Sequence, residues 1–298
     1  MRLEWIEDIL AVLDNGSLAR AAEKRFLTQS AFTRRVRMIE ESIGATLFDR
    51  SRKPVALMPG VKALEPEMRR LSMQLRRLKH DLKQTTDLRS SVVSIACQHA
   101  LTTTLSSKIV GALTAGDRTV RMRSGNRDEC LIQLFSGEAD IAITYQIPGE
   151  RTPILAQAFE AQDLGADRLI PVCIPDLEDS THDGEIPVIG YPSDVFLGQV
   201  FDRTIVPRLS NKVVLSPRAE TALTLAMIQL VLDGIGVAWL PQSLIFDHLA
   251  QKRLVKPEPK LPEQELEIKM IRLAEGQSPQ NDAIWSLLAN DVLKQKTL

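Results

Sequence analysis

Residues 17–54 read SLARAAEKRFLTQSAFTRRVRMIEESIGATLFDRSRKP, and this stretch decides the fold of the first part of the chain. It predicts two short helices joined by a tight turn, the second strongly basic, followed by a small basic loop. Ser17 and Thr28 suit the helix starts, because their hydroxyl oxygens accept hydrogen bonds from free backbone N–H groups. The pattern is typical of a helix-turn-helix, whose second helix enters the major groove of DNA.

The apolar residues of this region recur at helical spacing and predict a three-helix core. The preceding helix ends at Asn15-Gly16, and its apolar face consists of Trp5, Ile6, Ile9, Leu10 and Leu13. In the second helix the residues expected to face inward are Leu18, Ala21, Ala22 and Phe26. In the third helix they are Ala31, Phe32, Val36, Ile39 and Ile43.

The polar side chains of the third helix and of the basic loop are candidate DNA contacts. A glutamine amide can bond adenine bidentately, hydroxyls can donate or accept, and arginines reach guanine or phosphate. The basic group before Pro54, with alternating Val55 and Leu57, predicts a β-wing on the DNA backbone or minor groove. The alternative is a solvated basic face. The candidate DNA-binding residues are Gln29, Ser30, Thr33, Arg34, Arg35, Arg37, Arg50, Arg52 and Lys53.

The run GSLARAAEKRFLTQSAFTRRVRMIEESIGATLFDRSRKPVALMPG resembles the winged helix-turn-helix of LysR-type transcriptional regulators. The resemblance covers most of the first 60 residues. It rests on small residues in helix two, T-Q-S-A at the start of helix three, I-G-A-x-L-F-x-R, and a wing closing on P-G. It implies that Gln29, Ser30, Thr33 and Arg34 contact bases and phosphates. Thr33 replaces the family's usual Ser, and Met58 replaces a usual Thr at a helix N-cap.

Residues 1–58 are the predicted DNA-binding domain. After them the spacing of the apolar residues changes. Residues 59–89 carry an apolar residue at alternating spacings of four and three, which is a heptad seam that pairs with another helix. The seam consists of Leu64, Met68, Leu71, Leu75, Leu78 and Leu82. Pro59 suits a first helical turn, whereas Pro66 should kink the helix or delay its start. The family uses this segment as a dimerising linker helix. The alternative is a helix packed on its own domain.

From residue 90 the sequence alternates short apolar strands and helices, which predicts a parallel sheet covered on both faces. Two similar α/β halves resemble a periplasmic-binding-protein-like module, the form of the family's effector domain. The motifs GEADIAITY at 137–145 and DGIGVAWLP at 233–241 match its two halves. The predicted lobe I covers residues 90–162 and 265–298, and lobe II covers residues 163–264.

A ligand site is expected beyond the carboxyl ends of these strands, where helix N-termini present free N–H groups. The polar groups there suit a small polar or anionic effector, although each residue alone is more simply a cap or loop residue. The candidate effector-binding residues are Gln98, His99, Thr102, Thr103, Ser124, Gly125, Asn126, Tyr145, Tyr191, Ser193 and Ser216.

Charge and composition limit the remaining functions. Residues 1–88 hold 17 Lys and Arg against 12 Asp and Glu, whereas the remainder holds 20 against 26, so a nucleic-acid contact is expected at one end only. Cysteines and histidines show no metal-ligand spacing, and no catalytic constellation or dinucleotide fingerprint is present. We therefore expect no cofactor, no metal and no enzyme activity. Without a signal peptide or a long apolar run, a soluble cytoplasmic protein is expected.

A finer resemblance links four stretches to the hypochlorite-responsive subgroup of LysR-type regulators, which sense oxidant through methionine oxidation. The stretches are SIACQHALTTTLSSKI, LIPVCIPD, IPVIGYPSDVFLGQVFDRTI and GVAWLP. Leu197 stands where a sensing methionine is expected, while Cys97, Cys173, Met227 and Met270 are expected to be core residues.

The sequence is accordingly interpreted as a DNA-binding regulator of the LysR type. Its expected partners are double-stranded promoter DNA, a small-molecule effector, further copies of itself in a dimer or tetramer, and RNA polymerase, but no membrane. One alternative is a redox-responsive regulator that senses oxidant through Met or Cys. Another, from a different class, is a solute-binding protein or small-molecule enzyme, against which the missing export signal and catalytic set argue.

Overall fold

The computed structural model divides the chain into two compact units, Met1–Leu88 and Arg89–Leu298. The structure describes residues 3–52, 54–85, 92–115, 118–150, 159–177, 184–211, 213–258, 260–274 and 279–293. No helix in these ranges is both long and apolar enough to cross a membrane.

The first unit is a winged helix-turn-helix. Its helices are α1 (Leu3–Asn15), α2 (Leu18–Lys24), α3 (Gln29–Ile43), α4 (Pro59–Lys62) and α5 (Glu65–Thr85), and an antiparallel wing joins β1 (Phe48–Asp49) to β2 (Ala56–Leu57). The Thr28 hydroxyl caps α3 by accepting from the Ala31 N–H at 3.3 Å. Gly44 ends α3 with a left-handed backbone, φ +74°. Met58 precedes α4 without a side-chain cap.

The core of this unit lies between α1, α2, α3 and the wing. Its buried apolar residues are Ile6, Ile9, Leu10, Val12, Ala21, Ala22, Phe32, Val36, Ile39, Leu47, Phe48, Leu57 and Met68. The prediction that Phe26 faces inward is wrong, because Phe26 lies in the turn after α2 and its side chain is in solvent. Ala31 and Ile43, at the two ends of α3, are also exposed.

Helix α5 carries the predicted seam except for Leu64, which lies in the turn before the helix, and Met68, which is buried. Pro66 lies in the first turn of α5, so the helix starts late, as the sequence indicates. Met68 packs into the core of its own unit and is not part of an exposed seam. The other seam residues are between 38% and 61% exposed, and they are Leu64, Leu71, Leu75, Leu78 and Leu82.

The second unit is a two-lobed α/β domain, but its main sheet is mixed, not parallel as expected. Strands β3 (Val92–Gln98), β4 (Thr119–Gly125) and β5 (Ile141–Gln146) are parallel, whereas β6 (Phe159–Val172), β9 (Ala238–Pro241) and β10 (Gln264–Leu273) pair antiparallel. The strand order is β4-β3-β5-β10-β6-β9. The long strands β6 and β10 connect the part of the sheet that holds β5 to the part that holds β9.

The second lobe is completed by a two-stranded parallel sheet of β7 (Glu185–Gly190) and β8 (Val214–Glu220). The helices of this unit are α6 (His99–Thr114), α7 (Arg127–Phe135), α8 (Phe196–Val200), α9 (Thr224–Leu232), α10 (Phe246–Ala250) and α11 (Pro279–Leu293). Strand β8 extends to Glu220, and α9 begins shortly after it at Thr224. This extension moves the end of the strand towards a cleft between the lobes.

Candidate functional site

The first half of α3 presents a continuous polar surface. Gln29, Ser30, Arg34 and Arg37 are exposed. Thr33 is half-buried, and its hydroxyl donates to the Gln29 carbonyl at 2.8 Å. The exposed amide, hydroxyl and guanidinium groups match the donors and acceptors that base edges offer in the major groove.

Arg35, by contrast, points away from this surface and pairs with a buried carboxylate. Asp8 of α1 is fully buried, and its two oxygens form ion pairs with Arg35 of α3 and with Arg25, whose Nε lies 2.8 Å away. Arg25 also pairs with Glu7 at 2.9 Å. Arg35 is therefore tied to α1 in this structure, and its contact with DNA stays a prediction. Sequence reasoning missed Asp8, although a charge among the apolar positions of α1 was the available signal.

The wing holds one tethered and one exposed arginine. Arg50 pairs with Glu40 of α3, and Glu40 also accepts from the Leu47 N–H at 2.9 Å. Arg50 thus links the base of the wing to α3, and its contact with DNA stays a prediction. Arg52 is 71% exposed and makes one ion pair along the wing, with Asp49 at 3.0 Å. Lys53 lies outside the described residues.

The second unit contains a small cleft at the carboxyl ends of β3 and β7. The cleft is lined by Gln98, His99, Ala100, Asn126, Tyr191, Val195, Phe196, Leu197, Ala222 and Thr224. Four of these residues were predicted from the sequence, namely Gln98, His99, Asn126 and Tyr191. None of the described residues that line the cleft is acidic.

Two buried side chains direct hydrogen-bond donors into the cleft. Gln98 is 5% exposed, and its side-chain oxygen accepts from the Tyr145 N–H at 3.0 Å. The Gln98 side-chain nitrogen, which is a hydrogen-bond donor, therefore has no partner among the described residues. Thr224 is 2% exposed, and its hydroxyl also has no partner in the described chain. Tyr191 is already engaged, because its hydroxyl donates to the Trp239 carbonyl at 3.1 Å.

Two more predicted residues lie at the edge of the cleft. Ser124 is hydrogen-bonded to His99 Nδ1 at 2.9 Å, and the Thr102 hydroxyl donates to the Cys97 carbonyl at 3.1 Å. Gly125 is buried against Glu129, which accepts from the Asn126 N–H at 2.8 Å.

The remaining predicted effector contacts lie elsewhere. Tyr145 is fully buried, and its hydroxyl donates to Asp167 at 2.7 Å, so the prediction that it faces the cleft is wrong. Ser216 lies within β8 and not at the carboxyl end of the strand, where it was expected. Thr103 and Ser193 are exposed and do not line the cleft.

The contacts that sequence reasoning missed come mostly from the second lobe. They are Ala100, Val195, Phe196, Leu197, Ala222 and Thr224. The ring of Phe196 is held under the Arg127 guanidinium at 4.6 Å. The extended β8 brings Ala222 and Thr224 to the cleft, and no local pattern marked its true end.

The cysteines and the two core methionines are poorly placed for oxidant chemistry. Cys97, Cys130 and Cys173 are buried, and burial raises the pKa of Cys97 and of Cys130 to about 12. A thiol with such a pKa is protonated and unreactive at neutral pH. Met227 and Met270 are fully buried. Among the described residues, no group of His, Cys, Asp and Glu side chains could hold a metal ion.

Comparison with protein families matches both units. Residues 3–59 match the model for "Bacterial regulatory helix-turn-helix protein, lysR family", and residues 86–292 match the model for "LysR substrate binding domain". The HTH-type transcriptional regulator YjiE of Escherichia coli is 25% identical over 256 residues, which are 85% of this chain and 82% of that protein.

Two solved structures resemble the whole chain. Vibrio fischeri DarR in complex with DNA is 29% identical, covers 97% of this chain and 99% of that one, and has a TM-score of 0.59. Full-length HypT of Salmonella typhimurium, a hypochlorite-specific LysR-type regulator, is 24% identical, covers 98% and 99%, and has a TM-score of 0.59. The likeness to HypT concerns the fold alone.

Proposed function

Since the chain belongs to the LysR family of transcriptional regulators, we propose that it binds promoter DNA as a homodimer and that a small ligand in the cleft of the second unit alters this binding. The family resolves the choice between a regulator and a solute-binding protein or enzyme, because its members are transcriptional regulators. A regulator acting on promoter DNA works in the cytoplasm, with RNA polymerase as a further candidate partner.

The DNA-binding surface is assigned to α3 and the wing. Gln29, Ser30 and Arg34 supply base-directed groups at the start of α3, and Arg37 and Arg52 supply charge for phosphates. This assignment is supported by their exposure and by the structural likeness to DarR, which was solved on DNA. Lys53 remains a candidate wing contact from its sequence position.

Dimerisation is assigned to α5. Leu71, Leu75 and Leu78 are spaced by four and three residues and are exposed, which is the pattern of a helix that pairs with a second copy. Contacts between second units are proposed to join two such dimers into a tetramer. Replacing Leu75 and Leu78 together by Lys should therefore halve the oligomer in sedimentation analysis, from dimer to monomer or from tetramer to dimer, whereas Val206→Lys, at an exposed apolar residue of the second unit, should not do so through α5. An unchanged oligomeric state in the double variant would contradict this assignment.

The ligand class follows from the two buried donors of the cleft. The Gln98 amide nitrogen and the Thr224 hydroxyl are nine-tenths or more buried and lack partners among the described residues. The first turns of α6 and α9 reach the same cleft and add free N–H groups. A site of donors without an acidic side chain fits a small ligand rich in acceptors, such as a carboxylate or an inorganic anion.

A thermal-shift screen with acetate, succinate, sulfate, phosphate and chloride tests this ligand class. A ligand at a hundred times its Kd stabilises by about 2.7 kcal/mol, or roughly 5–10 °C for a domain of this size. The shift should disappear in Gln98→Met with Thr224→Val and persist in Ser193→Ala, which is exposed and outside the cleft. Equal shifts in all three proteins would show that the ligand binds elsewhere.

Anisotropy titrations on DNA test the effect of the ligand on DNA binding. The ligand must favour one DNA-bound arrangement over another, because equal affinity for both would shift nothing. A ligand found in the screen should therefore change the affinity or stoichiometry of wild-type protein on a duplex carrying its own upstream region. An unchanged titration would contradict the regulatory part of the proposal. Absence of any sequence-specific binding would contradict the DNA-binding part.

A further inference from the structure

Phe26 combines two unfavourable features in the turn between α2 and α3. Its side chain is 95% exposed, and its backbone is left-handed with φ +55°. A bulky residue in this region of backbone space costs about 1–3 kcal/mol. Leaving a phenyl ring in water also forgoes the burial that such a ring usually gains.

The backbone conformation at position 26 is imposed by the way α2 ends. The Leu27 N–H donates to the Ala22 carbonyl at 2.9 Å, and the Phe26 N–H donates to the Glu23 carbonyl at 3.0 Å. These two bonds form a Schellman motif, in which the residue after the cap is left-handed and is usually glycine. The fold therefore requires the turn but makes no use of the Phe26 side chain.

The same unit places glycine at its two other left-handed positions near helix ends. Gly16 follows α1 with φ +59°, and Gly44 ends α3 with φ +74°. In the described part of the chain, the other non-glycine residue with a left-handed backbone is Lys252, whose long charged side chain is exposed to solvent. Strain and an exposed apolar ring therefore coincide at Phe26.

We propose that Phe26 is a DNA-contact residue that packs its ring against apolar atoms at the edge of the major groove. It lies two residues before the cap Thr28 and three before Gln29, both exposed, at the end of α3 that approaches the bases. Thymine methyl groups and deoxyribose carbons are the apolar atoms available there. The inference rests on DNA binding by α3, as proposed above.

Substitution of Phe26 separates its effects on folding and on DNA. Phe26→Gly removes the strain and should raise the melting temperature, yet it should weaken binding about tenfold, which corresponds to half the burial of a phenyl ring. The duplexes are those that the full-length wild-type protein recovers from a random-sequence library. Because the lost contact is apolar, the slope of log affinity against log salt should not change, whereas Arg37→Ala should reduce it by about 1. Lys252→Gly, a matched control in the second unit, should leave affinity unchanged.

The outcomes are distinct. Wild-type affinity in Phe26→Gly would overturn the inference, even if its oligomeric state changed, since the ring would then serve a protein contact. A reduced salt slope would also overturn it, because the loss would lie in phosphate contacts. Failure of the wild-type protein to recover any sequence would overturn DNA binding itself and the inference with it. Replacing thymine by uracil in the duplex distinguishes the two apolar partners. If the ring packs on a thymine methyl group, the replacement weakens binding of the wild-type protein but not of Phe26→Gly. If the ring packs on deoxyribose, the replacement weakens binding of neither protein.

Discussion

Gly198 lies where the chain cannot accommodate a side chain, so Gly198→Ala should strongly destabilise the second unit. A Cβ atom built at this position would lie 2.0 Å from the Pro192 carbonyl oxygen, 2.8 Å from its carbonyl carbon and 3.3 Å from the Tyr191 carbonyl oxygen. These are backbone atoms, which cannot rotate away as a side chain would. The Pro192 segment would have to move by more than about 1 Å to restore ordinary van der Waals distances of 3.5–4 Å.

Overpacking of this kind costs typically 1–3 kcal/mol, and a backbone clash should give about 3 kcal/mol, the upper end. For a domain of this size the melting temperature should fall by roughly 6–12 °C. Thermal unfolding followed by circular dichroism measures the change. Because Tyr191 adjoins the displaced segment and lines the cleft, ligand-dependent stabilisation should also weaken.

Gly190→Ala is the matched control in the same lobe. A Cβ at Gly190 meets nothing within 4 Å, and the backbone there is not left-handed. This variant should melt close to the wild-type temperature. If Gly198→Ala melts within about 2 °C of the control, where a clash worth 1 kcal/mol would already show, the steric reasoning is refuted.

Three further predictions follow from the contacts described above. Arg52→Ala should reduce the slope of log affinity against log salt by about 1. Arg50→Ala, which loses a tether to Glu40, should instead lower the melting temperature and leave that slope nearly unchanged. An equal reduction of the slope in both variants would show that both arginines contact phosphate. Asp8→Ala should destabilise the first unit by about 2–3 kcal/mol in urea unfolding. This is less than the full cost of breaking a buried ion pair, because Arg25 and Arg35 are partly exposed. Unchanged stability would refute this prediction. Burial raises the pKa of Cys97 to about 12, so its thiol should stay protonated and resist iodoacetamide in the native protein up to pH 9. The thiol should react only after the protein is unfolded in urea. Rapid modification of the native protein would contradict the burial of Cys97.

Local patterns predicted the first unit well, because its helices are short, capped and amphipathic. The apolar spacing of α3 identified Phe32, Val36 and Ile39 as its buried face, and the basic run before Pro54 predicted the wing. Phe26 was assigned to the wrong side, since helical spacing cannot show that α2 ends before this residue. Met68 was assigned to the seam, because spacing along α5 does not reveal which turns pack on the same unit.

In the second unit, the alternation of strands and helices predicted an α/β domain, and the resemblance to a periplasmic-binding-protein-like module implied its two lobes. They could not predict strand direction, because an apolar run carries no signal for parallel or antiparallel pairing. Tyr145 was expected at the cleft from its place at the end of β5. Its hydroxyl instead bonds Asp167, which also accepts from the Ser243 hydroxyl at 2.6 Å, and these partners lie far apart in sequence.

The sequence by itself predicted a winged helix-turn-helix with a polar and basic third helix, a leucine-rich helix behind it and a two-lobed α/β domain. These features depend on residues close together in the chain, through caps, spacing and charge. Only the tertiary structure decided which side chains are left without a partner inside the chain and so can contact DNA or a ligand. Arg35 and Arg50 are occupied by Asp8 and Glu40, and Phe26 is left exposed. The reason is physical: the partner of a buried charge or donor comes from another element, so its availability depends on packing between elements.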